Sequence, residues 1–133
     1  SPSEYVHAQF EGLKTSPNLH PNILNGAAAR DRYHAYYDED ETKQDAFNSV
    51  YNQLDYLKRL SGKEVDLDAV MAVDDSHLDP LFVFMMSRVM GYSELAEKTK
   101  DAARDFLIIN PVFRDVYTEV LSEENAKALD ELS

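Results

Sequence analysis

Several residue types are missing or scarce in this chain, and each absence excludes a class of chemistry. The 133 residues include no cysteine, which excludes disulfides, thiolate metal sites and cysteine nucleophiles and favours a cytoplasmic or other reducing intracellular compartment. The four glycines are dispersed, so no glycine-rich loop can cradle a phosphate. The longest apolar run, Leu81 to Met86, has six residues, whereas a membrane span needs ~20. No basic stretch precedes an apolar core near Ser1, so we expect neither a signal peptide nor a membrane partner.

The residues that are present describe a folded protein. Hydrophobic residues make up 44% of the chain, and they include six phenylalanines and eight tyrosines. A chain of this length buries roughly 65–70% of the surface that it exposes when unfolded. The composition therefore predicts a single domain over residues 1–133, rather than a disordered acidic tail.

The net charge of −12 is unevenly placed along the chain. Residues 1–37 are neutral, whereas residues 38–75 hold eleven acids against four bases, and residues 76–133 hold eleven against six. Such a surface repels nucleic acid and attracts basic protein surfaces over long range. We therefore expect no direct nucleic-acid binding, and we note that solubility alone also explains an acidic surface.

Helix-start signals recur throughout the sequence. A small polar side chain can cap a helix N-terminus, and a proline fits the first helical position. Six such signals are Ser1-Pro2-Ser3-Glu4, His20-Pro21, Thr42-Lys43-Gln44-Asp45, Asp79-Pro80, Asn110-Pro111 and Ser122-Glu123-Glu124. They predict an all-α fold, a compact single-domain bundle of about six to seven short helices in orthogonal or superhelical packing.

Apolar spacing assigns the individual helices. We expect helices from Pro2 to Lys14, from Pro21 to Tyr37, from a Thr42 cap to Gly62, after Asp66, over 81–90, from a Ser93 cap to Ile109, after Pro111 and after Ser122. The segment after Asp66 also alternates like a strand, and the acidic run at 38–41 is expected to be a flexible connector. The segment 81–90 has no polar face, which predicts a central buried helix. Inward positions on the helix after Ser93 are expected to be Leu95, Ala96, Thr99, Ala102, Ala103, Phe106 and Leu107.

The sequence contains no catalytic constellation. The four histidines, at positions 7, 20, 34 and 77, lack the four-residue spacing of a helical zinc protease. Glu4 and His7 give one copy of a Glu-x-x-His pattern that a di-iron bundle needs twice. Asp66 and Asp68 lack the glycine of a calcium loop. We therefore predict no catalytic, metal-binding or cofactor-binding residues, no cofactor and no enzymatic activity.

One segment has the composition of a recognition surface. Tyrosine and arginine are enriched at protein interfaces, and here both occur beside an acidic run. The candidate partner-binding residues are Arg30, Arg32, Tyr33, Tyr36, Tyr37, Asp38, Glu39, Asp40 and Glu41. The alternative interpretation is an amphipathic helix whose tyrosines lie between core and solvent, followed by a solvated linker.

These observations favour a non-catalytic acidic helical module for protein–protein interaction, an adaptor, regulator or assembly factor that binds a basic or amphipathic protein partner. One alternative is an inhibitor that mimics DNA, with carboxylates of the middle third, Asp45 and Asp55 among them, imitating phosphates. A second is a small all-α enzyme or ligand-binding domain whose site joins residues distant in sequence. Residues 81–90, if uncovered, would instead line a groove for a partner helix or a homo-oligomer contact.

Overall fold

The computed structural model of the protein describes residues 40–61 and 78–133. Within these ranges the chain is all-α, as predicted, and contains no β-strand. Five α-helices precede a C-terminal 3₁₀-helix, with bounds α1 Glu41–Ser61, α2 Pro80–Met90, α3 Ser93–Ile109, α4 Val112–Val120, α5 Glu123–Ala126 and the 3₁₀-helix Lys127–Leu132. The helices predicted from Pro2, from Pro21 and after Asp66 lie outside the described residues.

The first described helix begins earlier than predicted. Asp40 is its N-cap, because the Asp40 Oδ1 atom accepts a 3.0 Å hydrogen bond from the backbone N–H of Lys43. Aspartate caps at least as well as threonine, and its charge favours the positive end of the helix dipole. Thr42 is therefore not the cap but lies inside the first turn. Glu41, the last residue of the connector predicted at 38–41, is the first helical residue.

The apolar face of α1 packs mainly on α4. The buried residues of this face are Ala46, Phe47, Val50, Tyr51, Leu54 and Leu57. The facing residues of α4 are Phe113, Val116, Tyr117 and Val120. At the edge of this contact the Lys43 Nζ group donates to Glu119 Oε1, and this hydrogen bond raises the pKa of Lys43. An ion pair thus supplements the apolar contact between α1 and α4.

The second helix is the centre of the described core. The side chain of Asp79 caps it by accepting a 2.7 Å hydrogen bond from the Phe82 N–H, and Pro80 occupies the first turn. Every residue from Leu81 to Ser87 is buried, and so is Val89. This confirms the predicted central helix and excludes the alternative in which its surface lines an open groove.

A two-residue turn returns the chain from α2 to α3. Gly91 adopts a left-handed conformation with φ of +80°, and the Tyr92 N–H donates to the Ser87 carbonyl at 2.8 Å. This turn makes Tyr92 the N-cap position, so Ser93 is the first helical residue rather than the predicted cap.

The third helix pairs closely with α2 along a narrow apolar stripe. The stripe consists of Leu95, Ala96, Ala103 and Leu107, all buried. Thr99 and Phe106 are half-buried, but Ala102 is exposed, which contradicts its predicted inward position. Consecutive residues of a helix differ by about 100° in direction, so Ala102 falls off the face that Ala103 occupies.

The C-terminal segment, α5 and the 3₁₀-helix, also packs against α2. Asn110 does not cap α4 as predicted, because its Nδ2 group donates back to the Phe106 carbonyl at 3.2 Å. Ser122 does cap α5, accepting from the Asn125 N–H at 3.2 Å. The predicted last helix then tightens into the 3₁₀-helix, whose Leu129 and Leu132 are buried. Their spacing of three residues places both on one side of a 3₁₀-helix.

Ion pairs of Arg88 stabilise the packing of the C-terminal segment on α2. The Arg88 guanidinium donates to both carboxylate oxygens of Glu131, at 2.9 and 2.7 Å, and to Glu97 at 2.7 Å. It also lies 5.6 Å from the centre of the Phe84 ring. Bidentate pairs of this kind are stronger than single contacts, so α2, α3 and the 3₁₀-helix are joined at one point.

Every helix of the described residues is too short or too polar to serve as a membrane span.

Candidate functional site

Most of the predicted recognition residues lie outside the described part of the chain. Arg30, Arg32, Tyr33, Tyr36, Tyr37, Asp38 and Glu39 belong to this group. Asp40 and Glu41 are described, and both are exposed at the start of α1. Because the Asp40 side chain caps the helix, one of its oxygens already has a structural partner.

The carboxylates proposed to imitate phosphates divide into two groups. Asp45 is exposed one turn after Glu41, whereas Asp55 is buried. A buried carboxylate cannot contribute to a surface array, so Asp55 is removed from the predicted set. Lys43, which lies between the exposed acids and pairs with Glu119, further reduces the local negative charge.

A polar cleft opens where α1 meets the start of α2. Its cavity volume is about 560 Å³, and its described lining residues are Asp45, Asn48, Ser49, Asn52, Gln53, Leu78, Asp79 and Phe106. Gln53 donates from Nε2 to Asp79 Oδ2 at 2.6 Å, and its Oε1 atom accepts from the Asp79 N–H at 2.6 Å. Gln53 of α1 therefore lies at the centre of the cleft, hydrogen-bonded to Asp79, the N-cap of α2.

Burial raises the pKa of Asp79, against the opposing effect of its hydrogen bonds from Phe82 and Gln53. A carboxyl group with a raised pKa inside a cleft is a recurrent feature of catalytic acids. Here, however, Oδ1 already accepts from Phe82 and Oδ2 from Gln53. The geometry thus indicates that the main role of Asp79 is structural, joining α1 to α2.

The Tyr117 hydroxyl is fully buried behind this junction. Burial raises the pKa of Tyr117 well above its ordinary value, and the negative charge of Asp79 adds to the effect. The hydroxyl has no hydrogen-bond partner among the described residues. Tyr117 is therefore a neutral phenol that serves as a packing group in α4.

A different surface stands out at the end of α3. Ile108 and Ile109 are 70% and 77% exposed, and they are the large exposed hydrophobic residues of the described ranges. A groove of about 330 Å³ lies beside Ile108. Its described lining residues are Arg104, Leu107, Ile108, Pro111, Arg114, Leu132 and Ser133.

The groove is fixed by the break between α3 and α4. Pro111 ends the run of α3 and turns the chain, while the Phe106 and Phe113 rings pack edge to face, 5.2 Å apart, across the break. The buried side chains of Leu107 and Leu132 form the apolar floor. We name this surface, together with Ile109, the isoleucine surface.

Sequence reasoning did not identify the isoleucine surface, although a signal was present. Leu107, Ile108 and Ile109 are three consecutive apolar residues, and one face of a helix can bury only one of them fully. Leu107 lies on the same helix face as the buried Ala103, so Ile108 and Ile109 must point away from the core. The exposure of these two isoleucines could have been inferred from the three consecutive apolar residues.

The described residues contain no cluster of three or more histidine, aspartate or glutamate side chains placed to hold a metal ion. All four histidines of the chain lie outside those residues. No protein-family model matches the chain, and no similar curated protein or solved structure was found for it.

Proposed function

We propose that this chain is a non-catalytic, acidic helical module for protein–protein interaction, an adaptor, regulator or assembly factor, and that it binds a partner with an amphipathic surface. The observation that supports this function is the isoleucine surface. Ile108 and Ile109 are adjacent, both exposed, and contiguous with a groove whose floor is apolar.

Covering the isoleucine surface would remove apolar area from water, which favours binding. A single exposed isoleucine is ordinary on a soluble protein. Two neighbouring ones beside an apolar groove form a patch, and such patches are typical of interaction sites. Full burial of one isoleucine side chain is worth about 1.5–3 kcal/mol. A partner that covers both would gain a useful part of its binding free energy from this pair.

An acidic surface supports a second candidate, an inhibitor that imitates DNA. Asp40, Glu41 and Asp45 are exposed close together at the start of α1. They would attract a basic partner over long range, and salt would weaken that attraction. The burial of Asp55 leaves this array smaller than the sequence suggested.

Affinity capture from the lysate of the protein's own source tests the two candidates together. The baits are the unmodified chain, the Ile108→Ser/Ile109→Ser variant and the control Ala102→Ser, which changes another exposed apolar residue of α3. We expect a partner that survives a wash at about 0.5 M salt, is lost from the double variant and is retained by the control.

Two other outcomes would reject the proposal. A partner that binds all three baits equally would show that the isoleucine surface is not the binding face. A partner that is released from every bait by salt would favour the DNA-mimic candidate instead. Because Ile108 and Ile109 are exposed, their substitution should change the free energy of unfolding by no more than about 0.5 kcal/mol, which thermal unfolding can verify.

A further inference from the structure

The groove beside Ile108 differs in charge from the rest of the protein. The whole chain has a net charge of −12, with 25 acidic and 13 basic residues. Yet the charged side chains among the described residues that line the groove are two arginines, Arg104 and Arg114. This local reversal provides information about a partner that the apolar floor alone does not.

The Arg114 side chain is available for binding. It is half-buried, and it forms no ion pair or hydrogen bond with its guanidinium among the described residues. Its hydrogen bonds involve the backbone: the Arg114 N–H donates to the Pro111 carbonyl at 3.1 Å, and the Arg114 carbonyl accepts from the Thr118 hydroxyl at 2.7 Å. A guanidinium offers five N–H donors in a planar fork that matches a carboxylate. Arg114 thus provides a cation at the edge of an apolar groove, and no described residue pairs with its guanidinium.

Arg104 is oriented but only weakly satisfied. Its Nη1 group lies 3.1 Å from Asp101, whose side chain is 95% exposed, and its Nη2 group donates to the Glu131 carbonyl at 3.4 Å. Exposed ion pairs of this type contribute little. The guanidinium is therefore held near the groove while a carboxylate from outside can still compete for it.

From this combination we infer that the groove binds an acidic amphipathic segment of a partner protein, with one aliphatic side chain against Leu107, Ile108 and Leu132 and an Asp or Glu carboxylate paired with Arg114. The inference rests on the proposed function and specifies the chemistry of its partner. It also revises the sequence-based expectation, in which the favoured partner was basic or amphipathic. At this surface the complementary charge is negative.

A selection from random peptides tests the inference without a known partner. The probe is a phage-displayed library of 12-residue peptides, selected on the full chain and counter-selected on the Ile108→Ser/Ile109→Ser variant. We expect the enriched peptides to combine an aliphatic residue with Asp or Glu. The dominant peptide is then synthesised, and its affinity is measured by fluorescence anisotropy.

Charge variants identify the cation that is recognised. Arg114→Gln should weaken the binding of the synthetic peptide about fivefold to tenfold, because a partly desolvated charged hydrogen bond is lost. Arg114→Glu should weaken it further. Lys98→Gln removes one positive charge from an exposed position of α3 outside the groove. It is the matched control and should leave the affinity within about twofold.

The outcomes separate this inference from the proposed function. Peptides that bind both baits equally, or a failure to enrich any peptide, would overturn the two together. Peptides that require the isoleucines but lack acids, or that bind equally well after Arg114→Gln, would overturn the acidic partner and leave the interaction module standing. Self-association of the chain in sedimentation that is abolished by the isoleucine variant would assign the groove to a second copy, and this too would overturn the inference.

Discussion

Gln53 and Asp79, 26 residues apart in the chain, exchange two hydrogen bonds of 2.6 Å in opposite directions. The amide of Gln53 satisfies both the backbone N–H and a carboxylate oxygen of Asp79. The second carboxylate oxygen caps α2 through Phe82. The entry of the buried helix into the core is therefore coupled to a side chain in the middle of α1.

Replacing Gln53 with leucine should destabilise the protein. Leucine is similar in size but leaves the Asp79 N–H and one carboxylate oxygen without this partner, so we expect a loss of about 1–3 kcal/mol in the free energy of unfolding. Urea unfolding measures the change. Asp45→Asn, an exposed position of the same cleft, is the control and should stay within about 0.5 kcal/mol. An equal effect of both substitutions would contradict a specific role for Gln53.

The stability of the protein should depend on the ionisation of Asp79. Burial raises its pKa in the folded state above the ordinary 3.8. The folded protein then binds more protons than the unfolded chain between those two pKa values, so the contribution of Asp79 is fully present below 3.8 and is lost as the pH rises through the folded-state pKa. Asp79→Asn removes this titration.

A pH series of unfolding experiments on both proteins checks the sign. The free energy of unfolding of the unmodified protein, minus that of the Asp79→Asn variant, should fall across this pH interval and become constant above it. Asparagine remains a good N-cap, so the variant should keep α2 intact. A difference that increases with pH would mean that the charged carboxylate is the favoured form, contrary to the burial argument.

Tyr117→Phe should leave the stability unchanged or increase it by up to about 1–2 kcal/mol. The hydroxyl is buried and has no hydrogen-bond partner among the described residues, so its removal relieves a desolvation cost. Thermal unfolding gives the result. Leu54→Ala, which opens a cavity in the core beneath α1, should cost about 2–5 kcal/mol in the same assay. A comparable loss for Tyr117→Phe would show that the hydroxyl is satisfied after all.

Gly91→Ala should destabilise the turn between α2 and α3 by about 1–2 kcal/mol. A Cβ atom at this position would meet no atom within 4 Å, so the cost arises from the left-handed backbone and not from a clash. Asparagine tolerates this conformation better than alanine does. Gly91→Asn should therefore lose less stability than Gly91→Ala, and the reverse order in chemical denaturation would refute the explanation.

Local signals predicted much of the described fold. Asp79-Pro80 and Ser122 cap helices as expected, and most of the segment at 81–90 is buried because it is apolar on nearly every side. The errors concern competition between neighbouring caps. Thr42 and Ser93 are suitable caps, but in both helices the N-cap position lies before them. Asp40 caps the first of these helices, and the turn at Gly91 makes Tyr92 the N-cap position of the second one.

The candidate sites were less accessible to sequence reasoning, because they depend on tertiary placement. Nothing local pairs Gln53 with Asp79, since the match requires α1 and α2 to be packed already. The arginines of the groove come from two helices, and their proximity follows from the break at Pro111. The apolar excess at Ile108 and Ile109 was visible, but a hydrophobic residue in a helix is ordinarily assigned to the core.

The burial of α2 from Leu81 to Ser87 and at Val89 has a consequence for synthesis on the ribosome. A helix without a polar side has no stable state in water until other segments cover it, and uncovered apolar segments promote aggregation. The segment that follows it after only two residues is α3, its most extensive partner among the described helices. Contacts between neighbours in sequence form early. Among the described helices, the main cover for α2 is thus supplied by the next stretch of chain to emerge.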